Sequence, residues 1–92
     1  MAMAIVTMKI MPVSPDTDLE KIKIEATKKI EDYSSSLEVK DEIEPVAFGL
    51  KALKLTFVMD ENKGSPDDLE SDLAGIEGVN SVETVDVRRA VG

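Results

Sequence analysis

Residues 3–11, MAIVTMKIM, alternate along the chain: Ala4, Val6, Met8 and Ile10 fall on one side, and Ile5, Thr7, Lys9 and Met11 on the other. Neighbouring side chains of a strand point to opposite faces, so this spacing predicts a strand. Two partly apolar faces suit the middle of a sheet better than its edge. Pro12 has no backbone donor to continue the ladder and ends it. Steps of three and four then replace the alternation. Leu19, Ile22, Ala26, Ile30 and Tyr33 make one apolar stripe, which predicts an amphipathic helix. The TDLE run at 17–20 has the form of a capping box, with Thr17 capping the amide of Glu20 and Glu20 reaching back. Asp18 and Glu20 also suit the positive end of a helix. Lys21, Glu25, Lys28 and Lys29 lie mostly off the stripe, and Glu25–Lys29 is a favourable four-residue pair. The serines at 34–36 end this helix.

LEVKDEIE, residues 37–44, reads as a short charged strand, the composition that protects a sheet edge. LKALKLTFVM then sets Leu53, Leu55, Phe57 and Met59 on one face against Lys54 and Thr56 on the other, the strongest strand pattern in the chain. ENKG at 61–64 predicts a turn. In SPDDLESDLAGIEG, Ser65 is the expected N-cap, Pro66 the first helical residue, and Asp68 completes the box. Leu69, Leu73 and Ile76 are its core positions, and Gly78 can take the left-handed C-terminal place. VNSVETVDVRRAV closes the chain as a strand. The order β-α-β-β-α-β contains an internal echo, SPDTDLE at 14–20 and SPDDLE at 65–70. It predicts one α+β domain over residues 1–92. The architecture is a ferredoxin-like βαββαβ sandwich, with two helices on one face of a four-stranded antiparallel sheet and strands one and three central.

Composition narrows the chemistry. Among 92 residues there is no cysteine and no histidine. Disulfides, thiol nucleophiles, zinc centres and imidazole acid–base catalysis are therefore excluded. No serine or threonine has a base and an orienting group arranged around it, so the chain is not expected to be an enzyme. A net charge of −8 disfavours a phosphate backbone as partner and suits a basic protein surface. An RNA-recognition sheet would need stacking aromatics on its central strands, where only Phe57 occurs. No apolar run approaches the roughly 20 residues of a membrane span, and Lys9 interrupts the N-terminal stretch, so neither a membrane nor a signal peptide is indicated. A cytoplasmic protein without cofactors is the expectation. Asp60-Glu-Asn-Lys-Gly64 lacks the Gly and Glu of a calcium loop at its sixth and twelfth places, which hold Ser65 and Ser71. The carboxylates Asp67, Asp68, Glu70, Asp72, Glu77, Glu83 and Asp86 are read as solvated surface, with no metal site assigned.

EPVAFGLKAL, residues 44–53, holds one of only three aromatic residues, Phe48, in what reads as a loop. It either tucks into the core or projects. Pro45 stiffens the approach and Gly49 permits an unusual turn, as a projecting tip requires, and a buried aromatic anchor can dominate an interface. Here, and in VTMKIMPVSPDTDLE, EIEPVAFGLKALKLTFVMDE and IEGVNSVETVDVRR, the sequence resembles the archaeal translation elongation factor 1-beta family. The match runs over nearly the whole chain, and PVAFGLKAL is its most specific part. The resemblance implies a guanine-nucleotide exchange factor that speeds GDP release from elongation factor 1-alpha by binding alone. It implies that Phe48, in the P-x-x-F-G motif, wedges into that partner. Pro45 and Gly49 would hold the tip and Lys51 would lie nearby as a polar contact; Arg88 and Arg89 either make partner contacts in place of a C-terminal lysine or form the basic end of an exposed strand. Eukaryotic relatives use a C-terminal lysine beside the partner's magnesium site, whereas this chain ends Arg88-Arg89-Ala90-Val91-Gly92. A ligand-sensing regulatory module of the same fold is the alternative.

Overall fold

The structure is a computed structural model that describes residues 3–34, 39–60 and 66–90. Strand β1 (Met3–Pro12) leads to helix α1 (Leu19–Ser34), strand β2 (Lys40–Pro45), a short 3₁₀ turn (Ala47–Gly49) and strand β3 (Lys51–Asp60). Helix α2 (Asp67–Ala74) and strand β4 (Val79–Ala90) follow. The sheet order is β2-β3-β1-β4 with every pair antiparallel, so the fold is the ferredoxin-like βαββαβ sandwich that the pattern predicts. The turn at 61–64, Ser35–Ser36, the start of the second predicted strand at 37–38, the Ser65 cap and Val91 lie outside the described residues.

The two strands with the cleanest alternation occupy the centre. Ala4, Val6, Met8 and Ile10 of β1 are buried, and in register beside them lie Met59, Phe57, Leu55 and Leu53 of β3. Ile22, Ala26 and Ile30 of α1, with Leu69 and Leu73 of α2 and Ile76 after it, close over this face as one core. Burying a Leu or Ile side chain stabilises a fold by about 1.5–3 kcal/mol, so the stripe that marks each helix is also what binds it to the sheet. Thr7 and Thr56 meet on the other, helix-free face, with their Oγ1 atoms 3.0 Å apart.

Two helix starts differ from the expected form. Asp18, not Thr17, caps α1: its Oδ1 accepts the amides of Glu20 and Lys21 at 3.1 and 3.3 Å. Thr17 Oγ1 instead accepts the Ser14 amide at 3.2 Å, and the Thr17 amide donates to the Ser14 carbonyl at 3.2 Å. With that amide satisfied, Glu20 has no donor to reach back for, and it pairs with Lys23 at 3.2 Å. Helix α2 begins at Asp67, which puts Pro66 one place before the first helical residue, its carbonyl accepting the Glu70 amide at 2.9 Å.

Gly78 does have a positive φ, 92°, but it lies at the turn into β4, while Gly75 follows the helix with φ −80°. A Cβ there would sit 3.0 Å from Thr17 Cγ2 and 3.5 Å from Ile22 Cδ1. Glycine is needed both for the conformation and for the close approach of α1.

Candidate functional site

The hairpin between β2 and β3 is built symmetrically about Phe48. Pro45 faces Lys51, Glu44 faces Ala52, Ile43 faces Leu53 and Glu42 faces Lys54. Beyond the last pair, the Val46 amide donates to the Leu50 carbonyl at 2.8 Å, and the Leu50 amide donates to the Ala47 carbonyl at 3.2 Å. Those two bonds clamp five residues into a tight cap. Phe48 at its apex has φ 61° and ψ 31°, and Gly49 follows with φ 76°. The left-handed region costs a residue with a Cβ about 1–2 kcal/mol, so the cap holds Phe48 in a conformation that a free chain would leave.

The ring gains no burial in return. Phe48 is 95% exposed, against 1% for Phe57. Of the two positions that sequence allowed for this side chain, the structure takes the projecting one. Pro45, Gly49 and Lys51 are exposed around it. An open cleft of about 510 Å³ runs beside the hairpin, with Ile43 and Lys51 on one wall and Pro12, Pro15 and Leu19 on the other.

Arg88 and Arg89 are not brought to this tip. Arg88 pairs in register with Ile5, at the opposite end of β1 from Ile10, which is level with Leu53. Five residues of strand separate those levels, about 17 Å, and the tip extends further still. Arg88 Nε lies 2.9 Å from Asp86 Oδ2 on the exposed face.

Across the helix-free face one row of charge crosses all four strands: Glu42, Lys54, Lys9 and Glu83 stand in register. Lys54 Nζ reaches diagonally to Glu44 Oε2 at 2.6 Å. Sequence reasoning missed this pair. The signal was available once Phe48 is put at the apex, because positions equidistant from it face each other and residues two further on become diagonal neighbours.

The close approach and charge of Lys54 hold the Glu44 carboxyl below its ordinary 4.5, with partial burial opposing and Lys9 helping. Glu44, and then Glu42, hold Lys54 above its ordinary 10.5. A lowered acid contributes stability above its unfolded pKa and loses it as pH falls through the folded value; a raised lysine loses its share only as pH climbs through its own. The pair should therefore be intact from about pH 5 to 10. In thermal melts, the difference between the parent and Glu44→Gln should be flat across that window and shrink as pH falls below about 4.

The carboxylates near α2 do not converge: among the described residues no group of three acidic side chains could hold a metal ion. Glu70 is engaged elsewhere, its Oε2 accepting the Thr84 amide at 3.1 Å and also the Thr84 hydroxyl. No helix of the described residues is long and apolar enough to cross a membrane.

Comparison with known proteins places the chain as a whole beside one family. The family described as the EF-1 guanine nucleotide exchange domain matches residues 5–90. The chain is 44% identical over 85 residues to an elongation factor 1-beta of Methanothermobacter thermautotrophicus, covering 92% of this chain and 93% of that one. It is 38% identical over 91 residues to an elongation factor 1-beta of Staphylothermus marinus, covering 97% and 98%. A solved structure described as BlrP1 BLUF superposes on the whole of this chain and 57% of its own, with a TM-score of 0.57 at 11% identity. That likeness shows the shared fold alone.

Proposed function

We propose that the hairpin tip is the working part of this protein, on the premise that the chain belongs to the elongation factor 1-beta family. It is a guanine-nucleotide exchange factor for elongation factor 1-alpha in translation elongation, and not an enzyme. Residues 1–92 act as one exchange domain, in the cytoplasm where its partner works.

The single observation behind the reading is the Phe48 ring, almost wholly in water on a cap that imposes a left-handed backbone on it. In the free protein this residue exposes apolar area and adds backbone strain. Both costs are offset if the ring is buried in a partner. A clamped tip loses little freedom on docking, which strengthens binding without any extra contact.

Phe48 inserts into elongation factor 1-alpha, Pro45 and Gly49 fix the shape of the cap, and Lys51 makes a polar contact at its base. Arg88 and Arg89 form a separate contact, and a partner that touches both must extend along the sheet. No covalent step is required. Binding that favours the nucleotide-empty partner weakens GDP, and by linkage GDP weakens the factor equally. A coupling of about 4 kcal/mol corresponds to roughly a thousandfold in affinity.

The test is the release of a fluorescent GDP analogue from purified elongation factor 1-alpha, with and without this protein. Release is expected to accelerate in proportion to factor concentration until it saturates. Unchanged release from a partner shown to be active would remove the reading.

A further inference from the structure

We propose that Glu44 and Lys54 are positioning residues for nucleotide exchange: their ion pair fixes the tip end of β2 and so sets where Phe48 points. This rests on the reading of Phe48 as the inserting side chain.

Strand β2 is the weakest attachment in the sheet. It has six residues, none of them buried, and it lies at an edge with only β3 beside it. β1 pairs with β3 no further than Ile10 and Leu53, so at Glu44 and Pro45 only two strands continue, and a two-stranded ribbon is marginal by itself and twists easily. Two ion pairs tie this one down. Lys23 of α1 reaches Asp41 at 3.5 Å near the start of β2, and Lys54 reaches Glu44 at 2.6 Å beside the tip.

The second pair is held in place by its neighbours. Lys9 stands directly opposite Lys54 on β1, and like charges facing each other across a ladder repel. Lys54 is therefore driven toward β2, where Glu42 faces it and Glu44 lies one diagonal nearer the hairpin. The ammonium goes to Glu44, whose Oε2 is sealed from solvent. A shielded carboxylate oxygen 2.6 Å from one cation is less screened than two side chains loose in water, though the approach is not aligned as a hydrogen bond. Glu44 adjoins Pro45, and the Val46–Leu50 clasp begins one residue later. Rotation of β2 about its ladder would carry the cap with it.

The experiment is a double-mutant cycle on the full chain, read by GDP release from elongation factor 1-alpha and by thermal melting. Glu44→Gln, which keeps the shape of the side chain, should lower stimulation about three- to tenfold with a small change in melting temperature. In a Phe48→Ala background the same substitution should cost nothing further. Lys54→Met should lose as much stimulation as Glu44→Gln, and the two together should lose no more than either alone. Backbone order parameters for residues 46–50 should fall in Glu44→Gln while those of β1 hold.

Full stimulation by Glu44→Gln, an effect that simply adds to that of Phe48→Ala, or losses in Glu44→Gln and Lys54→Met that add in the double variant would each overturn the positioning role and leave the Phe48 reading intact. Full stimulation by Phe48→Ala alone would overturn that reading itself, and this proposal with it.

Discussion

Phe48→Ala should give a protein that folds and melts like its parent but accelerates GDP release at least about 30-fold less. The stability half follows from exposure. At 95% exposed, the ring supports nothing in the core, and substitutions at such sites usually stay within about 0.5 kcal/mol. Alanine also keeps a Cβ, so the strain at φ 61° is carried over rather than relieved. The functional half follows from what a preorganised aromatic anchor is worth. Truncating an interface hot spot costs about 2 kcal/mol or more, which is roughly 30-fold. Stopped-flow release of labelled GDP measures one half, and circular dichroism melting measures the other. A variant that unfolds would mean that Phe48 supports the core; one that retains full stimulation would mean the tip is not what enters the partner.

Phe57→Ala should do the reverse. Phe57 is 1% exposed, faces Val6 across the two central strands, and belongs to the cluster that both helices close over. Removing a buried phenylalanine leaves a cavity and costs about 3–5 kcal/mol. Small domains have only about 5–15 kcal/mol in total. The melting temperature should fall by more than about 10 °C, as a denaturation scan would show. Wherever the variant remains folded, its stimulation per folded molecule should stay near normal. A shift of only a few degrees would mean that the core closes around the vacancy without loss.

These two phenylalanines show how far sequence carried the reading. Phe57 sits in an unbroken alternation with Leu53, Leu55 and Met59, and a pattern of period two leaves its direction no freedom. The same logic placed β1 and β3 at the centre, because each has apolar residues to cover. Phe48 had no such constraint. Its neighbours Ala47 and Gly49 set no period, so burial and projection were equally compatible with the letters. Only the backbone, a cap closed by Val46 and Leu50 with Phe48 in the left-handed region, decides between them.

Helix starts erred for a different reason. Thr17 had two possible partners, the Glu20 amide ahead and the Ser14 amide behind, and local turns compete on nearly equal terms. Asp18, one residue later, took the capping role. The distance of Arg88 from the tip needed the strand register, which no single segment encodes.

The hydrogen bonds from Thr84 to Glu70 bear on how this molecule behaves among copies of itself. β4 is twelve residues long and forms the margin of the sheet, and a margin of that length is a template on which a stray strand can zip. At Thr84 the rung is already taken, by a carboxylate reaching over from α2. Nearby, the ladder with β1 slips by a residue between Thr7 and Met8, so a straight incoming strand finds neither a continuous row of free donors nor an even spacing. The longest margin of this small, aromatic-poor domain is thus blunted against pairing with another copy.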